Sequence, residues 1–251
     1  MSGHSKWSSI KHKKGAADAK RGKLFSKLAR AIIVAAREGG PDPAANLALQ
    51  NAIEKARSYS MPKDNIERAI QRGSGTGPDT DAFEHITYEG YGPSGVAIIV
   101  EALTDNRNRT AAEIRHVFGK HDGNLGTSGA VAWLFERRGV VLVDADRADE
   151  DELTLAAAEG GAEDVSLDGT SFQVVSTPEQ LTAVREAIED AGIEVDSAET
   201  TMVPKTTVEL GDETAAKKTL RLVDELEELD DVQEVFANFD IPEQVLEAVA
   251  T

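Results

Sequence analysis

Residues 95–120 read GVAIIVEALTDNRNRTAAEIRHVFGK. From Val96 to Leu103 every residue but Glu101 is apolar, and most are β-branched. Such a run predicts a buried strand over Gly95–Leu103. Beyond Thr110 the pattern changes. Ala111, Ala112, Ile114, Val117 and Phe118 recur at helical spacing and predict a helix over 108–120. The polar stretch Thr104–Thr110 joins the two, with Asp105 or Asn108 as candidate N-caps. A buried strand running directly into a helix points to sheets covered by helices.

Working outward, Ile86–Glu89 predicts a partner strand, joined through the glycine-rich loop Tyr88–Gly95. Downstream, strands are expected at 131–136 and 140–144 around a turn at Arg138-Gly139, at 163–167, 171–176 and 194–202, and at 206–210 and 232–239. Helices are expected at 149–160, 178–191 and 213–229, with a short one after Pro242. Upstream the period is purely helical. Leu24, Phe25, Leu28, Ile32 and Ala36 define a helix at 16–38, stopped by Gly39, Gly40, Pro41 and Pro43. A second fits 43–58 with Leu47, Leu49, Ile53 and Ala56 inward, and a third fits 63–72 with Ile66, Ala69 and Ile70 inward and Gly73 just past its end. Residues 1–15 read as a mobile basic arm, and 73–82 (GSGTGPDTDA) as a linker. The expected fold class is α+β multidomain: an N-terminal three-helix domain plus two α+β domains with antiparallel sheets.

Charge is unevenly spread. Of 251 residues with a net charge of −18, residues 1–75 hold 15 Lys/Arg against 6 Asp/Glu, a net of +9. Residues 76–138 carry −3 and residues 139–251 carry −24. A basic third on an acidic protein points to a polyanionic partner. The acidic remainder serves solubility, docks a basic protein partner, or restrains the basic third. There is no cysteine, so a disulfide framework, a thiolate metal site and a Cys nucleophile are excluded. At 40% hydrophobic residues the chain is too apolar to be wholly disordered. Its longest apolar runs, such as Ala31–Ala36, fall far short of the ~20 residues of a membrane helix. The N-terminus lacks an apolar signal core. A cytoplasmic protein with no membrane partner is expected.

With about 100° per residue, Lys20, Lys23, Lys27, Arg30 and Arg37 share one arc of the first helix, apart from its apolar arc. Rigidly spaced cations of this kind neutralise successive phosphates; the bland alternative is a solvated face. Arg21 adjoins the stripe. The arm adds Lys6, Lys11, Lys13 and Lys14, with His4, Trp7 and His12 to stack on or hydrogen-bond to unpaired bases, although Trp7 could equally tuck against the helices. Lys63, Arg107 and Arg109 complete the candidate nucleic-acid-binding set, the two arginines standing near a helix start where they could hold phosphate or pair with local acids. The loop 119–130 is glycine-rich but has no phosphate-loop pattern. No nucleophile elbow, His-Glu-x-x-His pair or dinucleotide fingerprint is present, so neither catalysis nor a cofactor or metal is expected.

Several long motifs occur in order. They are Ser2-Gly3-His4-Ser5-Lys6-Trp7, Met61-Pro62-Lys63-Asp64-Asn65-Ile66, Tyr88-Glu89-Gly90-Tyr91-Gly92-Pro93, Leu103–Thr110 and Gly123-Asn124-Leu125-Gly126. Together they resemble the YebC family, bacterial proteins with mitochondrial relatives that activate translation of a cytochrome oxidase subunit. The resemblance covers nearly the whole chain. Ser94 and Asp122 stand where the family usually has Gly, and Ala130 where it usually has Ser. The resemblance implies three domains: a basic helical one at 1–78, a discontinuous middle one at 79–136 plus 206–251, and an inserted acidic one at 137–205. It also implies a non-enzymatic regulator of gene expression. One expectation is a ribosome-associated translation factor that binds structured rRNA or tRNA through the arm and first helix. The alternative is a DNA-binding transcriptional regulator, the family's widespread label.

Overall fold

The computed structural model describes residues 18–74 and 83–250. The expected arm, and all but the first two residues of the expected linker, lie outside them. Helix α1 (Asp18–Gly39), α2 (Leu47–Ser58) and α3 (Lys63–Gly73) form the N-terminal unit. Leu28, Ile32 and Ala36 of α1 are buried against Leu49, Ile53 and Ala56 of α2 and Ile66 and Ala69 of α3. Helix α2 starts later than the expected residue 43, because Asn46 caps it. The Asn46 Oδ1 accepts from the Leu49 N–H at 3.1 Å, while its Nδ2 donates to the carbonyls of Ala35 (2.7 Å) and Gly40 (2.8 Å). One buried side chain thus opens α2 and closes α1. Leu47, expected inward, is 70% exposed. It lies about 200° around the helix from Leu49, which faces the core. Gly73 is the last residue of α3, not the residue beyond it. A Cβ there would sit 2.5 Å from the Ile33 carbonyl oxygen, so only glycine lets α3 cross α1 this closely.

The next elements are β1 (Glu84–Tyr91), β2 (Ala97–Thr104), α4 (Arg107–Lys120) and β3 (Asn124–Leu125). Then come β4 (Phe135–Asp144), α5 (Glu150–Glu159), β5 (Asp164–Asp168), β6 (Ser171–Ser176), α6 (Leu181–Asp190) and β7 (Ser197–Pro204). The chain ends with β8 (Val208–Glu209), α7 (Glu213–Glu227), β9 (Val232–Ala237), β10 (Phe239–Asp240) and α8 (Glu243–Ala250).

The first sheet has the order β3-β1-β2-β9, antiparallel throughout. Its central strand β2 is buried except for Glu101. Ile98 and Val100 pack with Ile114 and Phe118 of α4 and with Leu220 and Val223 of α7. On the other face Ala97 and Ile99 meet Val131, Phe135 and Phe236. Cover on both faces explains the uninterrupted apolar run. Its partner β9 arrives from beyond β4–β7, and the pairing carries a bulge at Glu101/Ala102.

The second sheet has the order β5-β6-β4-β7, also antiparallel, in a β-α-β-β-α-β chain order. Val141, Val143, Phe172 and Val174 pack under Leu153, Ala157, Val184 and Ile188. The expected turn at Arg138-Gly139 is absent, and β4 runs unbroken through it. Gly139 is there for proximity: a Cβ would lie 2.7 Å from Ser176 Oγ and 2.9 Å from Leu181 Cβ. The expected single strand at 232–239 breaks at Asn238. Its Oδ1 accepts from the Ala97 N–H (2.7 Å) and its Nδ2 donates to Thr206 O (3.1 Å), handing the chain over to the short parallel pair β8–β10.

Candidate nucleic-acid interface

The cationic stripe of α1 does not face open water along its length. Lys23 Nζ donates to the Glu228 carbonyl (3.3 Å) and lies 3.7 Å from Asp230, and Lys27 donates to the Glu227 carbonyl. These are the last carbonyls of α7, which lack partners within their own helix and carry its negative dipole end. Arg30 reaches the carbonyls of Asp230 (2.8 Å) and Leu103 (3.2 Å) and the carboxylate of Asp231 (3.1 Å), with its guanidinium 5.0 Å over the Phe83 ring. Burial pushes the Lys27 ammonium down to about 8, against the pull of Glu227 and Asp230. Lys55 of α2 adds a further tie, to Glu234 and to Glu199.

Asp231 is the hub of this junction. It is buried, and its carboxylate accepts from Thr104 Oγ1 (3.0 Å), Thr110 Oγ1 (2.7 Å), Arg109 (2.8 Å) and Arg30. Burial alone would raise this carboxyl, but the hydrogen bonds from Arg109, Thr110 and Thr104 outweigh it and hold it below the usual carboxylate value. The stretch Thr104–Thr110 is therefore a structural corner. Asn106, rather than Asp105 or Asn108, caps α4 by accepting from the Arg109 N–H at 3.1 Å. Arg109 pairs with Asp105 as well as Asp231.

The remaining candidates are placed differently. Lys63 is 84% exposed, 3.6 Å from Glu67 one turn on. Arg107 is exposed and makes no ion pair among the described residues, though its carbonyl accepts from the Tyr88 hydroxyl at 3.3 Å. Lys20 and Arg21 lie within α1, but their side chains are outside the description. His4, Lys6, Trp7, Lys11, His12, Lys13 and Lys14 lie outside the described residues. The structure thus brings Lys23, Lys27, Arg30 and Arg109 together around one acidic corner and leaves Lys63 and Arg107 apart from it.

The glycine-rich loop after β3 has its own anion. Glu89 is buried; its Oε1 accepts from the Gly129 N–H and its Oε2 from those of Val131 and Ala132, each at 2.7 Å. Burial works to raise this carboxyl, and the three backbone donors more than offset it, leaving it lowered. Trp133 follows on a short 3-10 turn with its ring exposed, a residue the sequence had placed in a strand. Among the described residues no group of three His, Asp or Glu could hold a metal ion, and no helix is long and apolar enough to cross a membrane.

Helices and sheets in this arrangement define a three-domain α+β protein with a basic helical N-terminal unit. Residues 5–76 match the family model described as the TACO1/YebC protein N-terminal domain, and residues 83–239 match the TACO1/YebC second and third domain. The chain belongs to the TACO1/YebC family. A relative from Rubrobacter xylanophilus, named a probable transcriptional regulatory protein, is 62% identical over the full length of both chains. One of the same name from Dictyoglomus turgidum is 52% identical, also end to end. The crystal structure of a conserved hypothetical protein from Aquifex aeolicus superposes with a TM-score of 0.80 at 52% identity, covering 91% of this chain and 94% of that one.

Proposed function

We propose that this protein is a non-enzymatic, cytoplasmic regulator of gene expression that associates with the ribosome and binds structured rRNA or tRNA through its N-terminal arm and the arm-proximal end of α1. The observation that carries this reading is a net +9 on residues 1–75 of a chain whose total is −18. The names of the relatives support regulation of gene expression as the general role. The contacts of Lys23, Lys27 and Arg30 with the end of α7 support a docking role for those cations. RNA contact then falls to His4, Lys6, Trp7, Lys11, His12, Lys13 and Lys14, with Lys20, Arg21, Lys63 and Arg107 as supporting cations. The proposal includes a division in which 79–136 and 206–251 make one unit around an acidic insertion at 137–205, and the pairing of β2 with β9 supports it. The acidic surface of that insertion suits a basic protein partner.

Co-sedimentation with ribosomes at two salt concentrations tests this. Salt-sensitive binding should be lost on changing Lys11, Lys13 and Lys14 to Ala, and retained when Lys23 and Lys27 are changed. Absence of binding at low salt overturns the ribosomal reading. A second reading, a DNA-binding transcriptional regulator, has the relatives' names in its favour, together with a four-residue connection between α2 and α3 that suits a helix-turn-helix. Asp64 and Glu67 stand exposed on α3 beside Lys63 and Arg68, which weakens that helix as a groove reader. Promoter duplex outcompeting structured RNA would favour this second reading.

A further inference from the structure

Trp133 is 65% exposed, yet it is held in place. Its indole N–H donates to the Ala130 carbonyl at 3.2 Å, and the Tyr91 hydroxyl donates to the same oxygen at 3.1 Å. Val131 and Phe135, two residues away on either side, are buried in the core against Ile99 and Phe236. The Glu89 carboxylate fixes the backbone of Gly129, Val131 and Ala132 from beneath. A buried carboxylate is costly to place. Here it rigidifies a segment whose most prominent member is an aromatic ring left in water. A ring pre-set in this way loses little conformational entropy when a partner stacks on it.

The charge around the ring narrows the partner. No charged residue occurs from Asn124 to Phe135. Arg137 and Lys205 are both exposed and make no ion pair among the described residues. The Lys205 N–H donates to the Leu134 carbonyl at 2.8 Å, which brings the end of β7 beside Trp133's chain neighbour. The exposed acid next to them, Glu136, is paired with Arg138 at 3.1 Å. On a chain of net charge −18, the exposed ring thus lies in an uncharged stretch of twelve residues, with an exposed cation four positions on in β4 and another on the chain bonded to Leu134.

We propose that Trp133 is a stacking platform for an unpaired base of an RNA partner, with Arg137 and Lys205 meeting the flanking phosphates. This inference rests on the RNA-binding reading given above. Paired bases are covered by their own stack, so the platform selects loops and bulges over duplex.

In the full-length protein with Trp7→Phe, Trp133 is the single tryptophan, and RNA is added until filter retention of this same variant saturates, so that affinity lost at the arm is made up by concentration. Adding folded ribosomal RNA should protect that fluorophore from acrylamide, lowering the quenching slope about twofold or more, whereas a fully paired RNA duplex should protect it far less. Independently, in filter-retention assays with otherwise unaltered protein, Trp133→Ala should weaken binding of the same RNA by about 5- to 150-fold, with Trp133→Phe restoring most of it. Unchanged affinity in Trp133→Ala, or an unprotected Trp133 in the bound complex, overturns the proposal while leaving RNA binding intact. Absence of RNA binding by the unaltered protein overturns the underlying reading instead. Protection of Trp133 without RNA, accompanied by a dimer in sedimentation, assigns the surface to a second copy of this chain and overturns the proposal.

Discussion

Replacing Asp231 by alanine removes an acceptor on which four donors converge. The hydroxyls of Thr104 and Thr110 are fully buried and would retain each other at 2.8 Å, while Arg30 would retain the carbonyls of Leu103 and Asp230. What disappears is a buried carboxylate that ties α1 to both the start of α4 and the approach to β9. Removing one partner from a buried, hydrogen-bonded charge cluster typically costs about 3–5 kcal/mol. At about 2–4 °C per kcal/mol for a chain this large, the melting temperature should fall by about 6–20 °C. The assay is urea unfolding followed by circular dichroism, run as a cycle with Arg30→Ala, which should reveal a coupling of about 1–2 kcal/mol between the two residues. Because the Asp231 carboxyl is held low, its contribution is complete above the ordinary carboxylate range. It fades only as pH drops below about 4 and on through the depressed native value. Asp231→Asn should therefore flatten part of the acid limb of the stability curve. A loss under about 1 kcal/mol for Asp231→Ala is what an exposed ion pair would give, and would refute the idea of a buried hub.

The other expectations concern single contacts. Glu89→Gln sets an amide NH2 against a backbone N–H, which should cost about 2 kcal/mol in urea unfolding and increase acrylamide access to Trp133. Gly73→Ala forces a methyl group onto the Ile33 carbonyl and should destabilise the helical unit by about 1–3 kcal/mol, measurable in the same way. Lys27 titrates near 8 in the native state against 10.5 ordinarily, so the unfolded chain holds its proton more tightly between those values. Stability should accordingly rise with pH across that window, and Lys27→Met should remove the slope.

What the sequence revealed followed the range of the interactions involved. Strand β2 was legible because cover on both faces leaves a continuous apolar signature, and the ends of α1 and α3 because glycine and proline mark them. Asn46 was missed as a cap because the alanines and Pro43 before it suit a helical first turn. The continuity of β4 was hidden by Gly139, whose role is close approach rather than turning. The two-residue strand β3 is too short to carry a pattern. Asp231 stood among several similar acids, and its partners lie 121 to 201 positions away in the chain, beyond any local period. The pairing of β2 with β9 lies equally far beyond any periodicity, and the expectation of a discontinuous middle domain came from the family resemblance alone. Trp133 sits in an apolar stretch, AVAWLF, that reads as core; only the 3-10 turn exposes it.

The pairing of β2 with β9 also sets an order of events during synthesis. At about 5–20 residues per second, the 128 residues from Thr104 to Val232 take about 6–26 seconds to emerge. During that interval β2 has an unpaired edge, and the β4–β7 unit, whose strands are all in hand by Pro204, can fold before the older sheet surrounding it is finished. The same late stretch, Glu227 to Ala237, supplies both the missing strand and the carbonyls and carboxylates that receive Lys23, Lys27 and Arg30. A chain stalled or truncated before residue 227 would therefore carry a half-built sheet and an undocked basic helix together, and should be recognised by proteases and chaperones as one unfinished body.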